Sequence, residues 1–143
     1  MACEIEAARS WLFRTRNAQR EIDQLERTAR NAREKLTQIT RSGDGTPVVS
    51  SPDPHKFDGL AALTAEIETQ VNRLFEIQSE TLEVIGKIPD GRLRTVLRLR
   101  YVDCMTVEQT AVEAHYSYKH TRRLLARGLE QVAEILKDEW REE

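Results

Sequence analysis

The sequence predicts an all-α protein in which a long N-terminal antiparallel helical hairpin, coiled-coil-like in character, precedes a C-terminal helix-turn-helix module. Three observations lead to this fold class. Apolar residues recur at helical spacing along two long stretches, most of the prolines lie between those stretches, and two helix-capping sequences follow near the C-terminus. Of the 143 residues only 39% are hydrophobic and 32% are charged, which favours thin, exposed helices over one large core.

The first long helix is predicted over residues 1–41. Its apolar residues recur at alternating intervals of three and four positions, the heptad spacing of a helix that packs against another helix. The seam consists of Ile22, Leu25, Ala29, Ala32, Leu36 and Ile39, with a weaker continuation backward through Ala18, Thr15, Trp11 and Ala8. The helix is expected to end near Arg41, because residues 42–47 are dense in helix breakers.

Residues 42–57 are predicted to be a flexible linker, and residues 58–88 a second amphipathic helix that ends before Pro89. Residues 42–89 hold three bases and eight acids, whereas residues 1–41 hold nine bases and six acids. These opposite charges favour pairing of the two helices as an antiparallel hairpin. The same apolar seams could instead drive formation of a homodimer, and the sequence does not decide between the two arrangements.

Residues 89–143 carry the helix-turn-helix prediction. A helix starts after Pro89 and is expected to break near Asp103. Thr106 and Gln109 then have the spacing of a capping box. In this motif the threonine hydroxyl accepts a hydrogen bond from the glutamine backbone N–H, and the glutamine side chain accepts one from the threonine backbone N–H. A short helix is therefore expected from this box through residue 114.

The turn after the short helix is predicted at His115 and Tyr116. Ser117 is the candidate N-cap of a last helix that runs nearly to Trp140. A short helix, a tight turn and a longer basic helix form the helix-turn-helix arrangement of DNA-binding proteins. The charge agrees with this interpretation, because residues 90–127 hold eight bases and four acids.

The first turns of the last helix separate into an inner and a basic outer side on a helical wheel. The predicted inner residues are Thr121, Leu124, Leu125 and Gly128. Lys119 and Arg123 lie opposite them as a like-charge i,i+4 pair, which costs roughly 0.2–0.5 kcal/mol in an isolated helix. Phosphates or guanine edges in a major groove would offset that repulsion. The predicted DNA contacts are Ser117, Tyr118, Lys119, His120, Arg122, Arg123 and Arg127, with Arg92 and Arg94 of the preceding helix.

Residues 98–111, followed by Tyr116, Ser117 and Leu124, resemble region 4 of sigma-70 family RNA polymerase sigma factors. In that family, region 4 is the helix-turn-helix that reads the minus-35 promoter element. The whole chain resembles small sigma-like proteins of phages and prophages in Gram-positive bacteria. The resemblance implies a transcriptional regulator that binds promoter DNA and contacts RNA polymerase. Promoter opening is not expected, because no separate domain with exposed aromatic residues accompanies the module.

Four residues depart from the family pattern. Thr110 and Thr121 stand where the family usually has branched aliphatic residues, Ala114 where it has leucine, and His115 where it has glycine. At roughly 25 cal/mol per Å² of apolar area, the loss of two large aliphatic side chains lowers the stability by a few kcal/mol. The module is therefore expected to be thinly packed and to depend on the hairpin or on a dimer partner for stability.

The composition excludes several other classes. No carboxylate pair, nucleophile–base set or metal cluster is evident, so neither an enzyme nor a cofactor is predicted. His115 and His120 lack ligands at metal spacing, and two isolated cysteines, Cys3 and Cys104, are too few for a zinc site. The acidic start does not resemble a signal peptide, and no apolar run could span a membrane. A cytoplasmic protein is expected.

The sequence leaves two alternative functions open. In the first, the chain is a DNA-binding subunit of phage packaging, similar to a small terminase, and the hairpin drives assembly of a ring. Its mass in solution would then be several times that of a monomer or dimer. In the second, the chain is a protein–protein adaptor with a vestigial helix-turn-helix, which would have no salt-sensitive affinity for DNA.

Overall fold

The computed structural model describes residues 2–41 and 58–142, and all regular elements in these two ranges are helical. A π-helical turn, Arg98–Val102, directly follows the fourth helix. The all-α class is therefore confirmed, whereas the linker predicted over residues 42–57 lies outside the described residues. The six α-helices are α1 (Ala2–Leu12), α2 (Arg14–Arg41), α3 (Asp58–Gly86), α4 (Gly91–Leu97), α5 (Val107–Ala114) and α6 (Tyr118–Glu142). Within the described ranges, no helix has the length and apolar character required to cross a membrane.

The helix predicted over residues 1–41 is divided in two at Phe13, which corrects the prediction of a single element. The interruption is confined to one residue, because Phe13 donates its backbone N–H to Arg9 and its carbonyl accepts from Asn17. The Phe13 ring packs edge-on against Tyr101 at 5.4 Å between ring centroids. A contact to a residue so distant in sequence has no counterpart in the heptad spacing, so the spacing did not predict the break.

The first of two compact units combines Met1–Asn17 with Leu74–Glu143. Within it, α6 packs against α1, α4 and α5. The core extends through all of these helices and the end of α3; its least exposed large side chains are Leu12, Ile85, Ile88, Leu93, Leu97, Leu124 and Leu136. The boundary predicted between residues 88 and 89 therefore does not separate the compact units. Side chains of α1 and the end of α3 bury the same core as the C-terminal helices.

The second compact unit is Ala18–Arg73, which contains most of α2 and the first half of α3. Ala18, Ile22 and Ala29 of the predicted seam are buried, and on α3 Gln70 is buried as well. Alanine side chains bury little area, so this seam is thin relative to the leucine-rich core of the first unit. These buried positions agree with the predicted heptad spacing, and the antiparallel hairpin remains a prediction.

Candidate nucleic-acid interface

Helix α5 begins at the predicted capping box. The Thr106 hydroxyl accepts from the Gln109 backbone N–H at 3.1 Å, and the Gln109 side-chain oxygen accepts from the Thr106 N–H at 3.0 Å. Two backbone donors that the helix leaves unpaired are thereby satisfied. The Thr110 hydroxyl donates to the Thr106 carbonyl at 2.8 Å, so this fully buried hydroxyl is also paired.

Helix α5 ends in a Schellman motif at the turn. The Tyr116 N–H donates to the Ala111 carbonyl at 3.0 Å, and the His115 N–H donates to the Val112 carbonyl at 3.2 Å. His115 adopts the left-handed conformation, with φ of 60° and ψ of 38°. Glycine is the usual residue at this position because it has no Cβ to clash in that conformation. The turn therefore has a backbone geometry that usually requires glycine, with histidine in its place.

Helix α6 begins in the same way as α5. The Ser117 hydroxyl accepts from the His120 N–H at 3.1 Å, which confirms Ser117 as the N-cap. The Thr121 hydroxyl donates to the Ser117 carbonyl at 2.9 Å, as Thr110 does to Thr106. Each of the two threonines that depart from the family pattern is thus fully buried with its hydroxyl satisfied, and neither leaves an unpaired polar group in the core.

The inner and outer sides predicted for the start of α6 are confirmed by burial. Thr121, Leu124, Leu125 and Gly128 are all buried. The opposite side carries four exposed cations, called here the basic face: Lys119, Arg122, Arg123 and Arg127. Among the described residues, no carboxylate lies within ion-pair distance of any of these four cations. Their charges are therefore not neutralised by this part of the fold.

Two other residues at the start of α6 that are predicted to contact DNA, Tyr118 and His120, lie against neighbouring side chains. The Arg122 guanidinium lies 5.9 Å from the centre of the Tyr118 ring, which is 46% exposed. His120 is half-buried and meets Tyr116 edge-on at 5.1 Å between ring centroids. Tyr118 is consequently available at the surface beside the basic face, whereas His120 also contributes to packing at the turn.

Arg92 and Arg94 occupy different environments on α4. Arg92 is exposed and pairs with Asp90 at 3.3 Å, while the Asp90 carboxylate also caps the helix by accepting from the Arg92 N–H at 2.9 Å. Hydrogen bonds from the Arg92 side chain and backbone lower the pKa of Asp90. The half-buried Arg94 instead donates to the carbonyls of Ile88 and Pro89, at 2.6 and 2.9 Å. Arg94 thus fastens the loop that precedes α4.

A cluster of arginine and aromatic side chains was not predicted from the sequence. Arg16 and Arg100 lie 5.2 and 5.4 Å from the centre of the Phe13 ring, which itself packs against Tyr101. Burial raises the pKa of the Tyr101 hydroxyl. The aromatic residues are candidates for packing by their type, but nothing in the local sequence indicates that Phe13 meets Tyr101 of the π-helical turn.

No group of three or more histidine, cysteine, aspartate or glutamate side chains able to hold a metal ion occurs in the described ranges. Comparison of the chain with protein-family models, with curated proteins and with solved structures gave no match in any of the three.

Proposed function

We propose that this protein binds double-stranded DNA through the basic face of α6 and regulates transcription. The observation that carries the proposal is the set of four exposed cations without ion-pair partners in the described structure. They project from the side of α6 opposite its buried residues, directly after a three-residue turn. The positive charge of that surface favours an anionic partner. The surface is formed by the exposed side of one helix.

The dimensions of a helix favour duplex DNA as that partner. An α-helix with its side chains is about 10–12 Å across, and the major groove of B-form DNA is about 12 Å wide. Lysine and arginine can bind phosphates there or the acceptor atoms of guanine. The partial positive charge at the N-terminus of α6 adds to the attraction of a phosphate.

The predicted contacts contribute in different ways to this proposal. Lys119, Arg122, Arg123 and Arg127 contact DNA directly, with Tyr118 beside them. Ser117 caps the helix and so positions it at the turn. Arg92 binds phosphate in place of its exposed ion pair with Asp90. Arg94 instead supports the fold by donating to two backbone carbonyls.

The regulatory part of the proposal rests on the sequence resemblance to sigma-70 region 4. The residues that carry it include the capping box at Thr106 and the turn at Tyr116 and Ser117, whose geometry suits the presentation of a DNA-reading helix. Promoter DNA is therefore the proposed target, and RNA polymerase the proposed protein partner.

The test is a fluorescence-anisotropy titration with duplex DNA at several salt concentrations. Mixed-sequence duplex is compared with fragments from upstream of neighbouring genes. With four phosphate contacts, the affinity should fall with salt with a log–log slope of about −3 to −4. The Lys119→Ala/Arg123→Ala variant should reduce the magnitude of that slope by about two.

The matched control is Arg27→Ala/Arg30→Ala, which removes the same charge from exposed positions of α2. This control should bind as the wild type does. Equal losses in both double variants would show that only overall charge matters and would contradict a dedicated DNA-binding face. Absence of binding at low salt would overturn the proposal and favour the adaptor function.

A further inference from the structure

A second surface of the first compact unit has properties that DNA binding does not use. Helix α1 and the end of α6 enclose an apolar groove of about 340 Å³. Its apolar floor and walls consist of Ala7, Ala8, Ala133, Leu136 and Trp140. The Trp140 side chain remains 53% exposed. A half-exposed tryptophan beside an apolar groove is a typical centre of a protein–protein contact.

Lys137 and Arg141 line the edge of this groove, and two acidic residues precede them along the same side of α6. At 100° per residue, Glu130, Glu134, Lys137 and Arg141 fall within an arc of about 60°, and all four are exposed. We call these four residues the charge stripe. Along the helix it reads acid, acid, base, base, so its two ends carry opposite charges.

The charge stripe is only partly neutralised within the chain. Lys137 pairs with Glu4 at 3.1 Å, and this contact lowers the pKa of Glu4. Among the described residues, Glu130, Glu134 and Arg141 have no partner within ion-pair distance. The described part of the chain therefore leaves three of the four charges for a partner that presents the complementary order.

The geometry points to a second copy of this chain as that partner, related by a two-fold axis at the α1–α6 groove. A two-fold interface uses the same patch on both copies, so the patch must supply both a protruding group and a recess. Trp140 and the apolar groove meet this requirement together. An antiparallel second copy also places the acidic end of one charge stripe opposite the basic end of the other.

This dimer differs from the one that the seam residues of α2 and α3 would form, because its contacts lie on α1 and the end of α6. It does not depend on the proposed DNA-binding function. Its consequence for that function is that each particle would carry two basic faces, as dimeric helix-turn-helix proteins do when they bind two half-sites.

The first test measures the mass of the full chain by sedimentation equilibrium over a range of protein concentrations. The wild type should dimerise, and Trp140→Ala should weaken the dimer by about tenfold or more. Val112→Ala is the matched control, because it truncates an apolar side chain that is 75% exposed on α5. A monomeric wild type, or a dimer unaffected by Trp140→Ala, would overturn the inference.

The second test reverses the two ends of the charge stripe separately. Glu130→Lys/Glu134→Lys makes the stripe wholly basic, and Lys137→Glu/Arg141→Glu makes it wholly acidic. Each variant alone should be monomeric through like-charge repulsion, whereas an equimolar mixture should form a heterodimer. Unchanged circular dichroism establishes that both variants fold. Dimerisation of either variant alone, or a mixture that stays monomeric, contradicts the antiparallel arrangement.

Discussion

The two halves of α6 bury similar faces but expose different charges. Residues 118–127 bury Leu124 and Leu125, and residues 128–142 bury Val132 and Leu136. The exposed side of the first half holds four bases and no acid, whereas residues 128–142 hold five acids and two bases. Packing of the core explains the similarity between the halves, and it leaves the difference in charge unexplained.

The ion pairs show what the difference means. In the second half, Lys137 pairs with Glu4 and Glu139 pairs with Lys87, so part of its charge is used between elements of the first compact unit. In the first half, no cation pairs with a carboxylate of the described residues. A surface that the fold does not neutralise is the better candidate for binding an external anion.

The largest expected effect is on DNA affinity when the first half of α6 is changed. Arg122→Glu/Arg123→Glu should weaken duplex binding on the order of 100-fold at constant salt, because the two proposed contacts with DNA would become repulsive. Asp138→Asn, in the second half, should alter the affinity less than about twofold. Titrations of both variants by fluorescence anisotropy measure the difference.

A control variant on α2 and a measurement of stability support this comparison. Arg27→Glu/Arg30→Glu on α2 changes the net charge by the same amount and should leave most of the affinity. All three variants change exposed side chains, so their free energies of unfolding should stay within about 0.5 kcal/mol of the wild type. Comparable effects from both halves of α6 would remove the distinction between them.

The next effect concerns Gly128, which stands where the two halves of α6 meet. A Cβ at this position would lie 2.9 Å from Cγ and Cδ1 of Leu97, a fully buried residue of α4. Overpacking costs about 1–3 kcal/mol, and the better helix propensity of alanine returns up to about 1 kcal/mol. Gly128→Ala should therefore lower the free energy of unfolding by about 1 kcal/mol, measured by urea denaturation.

Two further variants test this explanation of Gly128. Gly86→Ala at the end of α3 is the control, since a Cβ there has no neighbour within 4 Å. In a Leu97→Ala background the clash is absent, so Gly128→Ala should become stabilising. The same loss of stability in both backgrounds would show that contact with Leu97 is not the cause.

The features that the sequence predicted correctly depend on short stretches of chain. The capping box at Thr106, the N-cap at Ser117 and the two sides of α6 each follow from residues within a few positions of one another. Helical periodicity and side-chain capping act over one or two turns, so they can be inferred before any tertiary contact is known. These local features also define most of the candidate interface.

The features that the sequence did not predict depend on one contact between distant residues and on short-range hydrogen bonds that helical periodicity does not describe. The break at Phe13 coincides with packing against Tyr101, and Arg94 is engaged by carbonyls of the loop before α4. Thr110 and Thr121 are predicted to weaken the packing because they bury less apolar area than branched aliphatic residues, and this stays a prediction. The sequence did not predict that each hydroxyl bonds to the carbonyl four residues earlier, a pairing that removes most of the cost of burying the hydroxyl.

His115 provides a prediction of intermediate size at the turn before α6. A left-handed conformation costs an ordinary L-residue about 1–2 kcal/mol, a cost that glycine avoids. The greater conformational freedom of glycine in the unfolded chain offsets part of this advantage. His115→Gly should therefore raise the free energy of unfolding by about 0.5–1 kcal/mol. His115→Ala, which keeps the Cβ, should give no such gain. A gain of equal size in both variants would contradict the explanation from backbone conformation.

The smallest effect is the pH-dependent part of the Asp90 cap of α4, for which the uncharged cap of α6 is the comparison. The pKa of Asp90 is lowered from its ordinary value of 3.8 in the folded chain, chiefly by the Arg92 hydrogen bonds. The ionised carboxylate therefore contributes stability above that value, and the contribution is lost as the pH falls through the folded-state pKa. Asp90→Asn keeps a capping oxygen without the titration, so its deficit in stability relative to the wild type should shrink on acidification.

The comparison variant is Ser117→Ala, which removes the uncharged cap of α6. It should lower the free energy of unfolding by about 1 kcal/mol at neutral and at acidic pH alike, because a hydroxyl does not titrate in this range. Urea denaturation at the two pH values measures both deficits. A deficit for Asp90→Asn that is independent of pH would show that the ionised carboxylate adds nothing beyond the capping hydrogen bond.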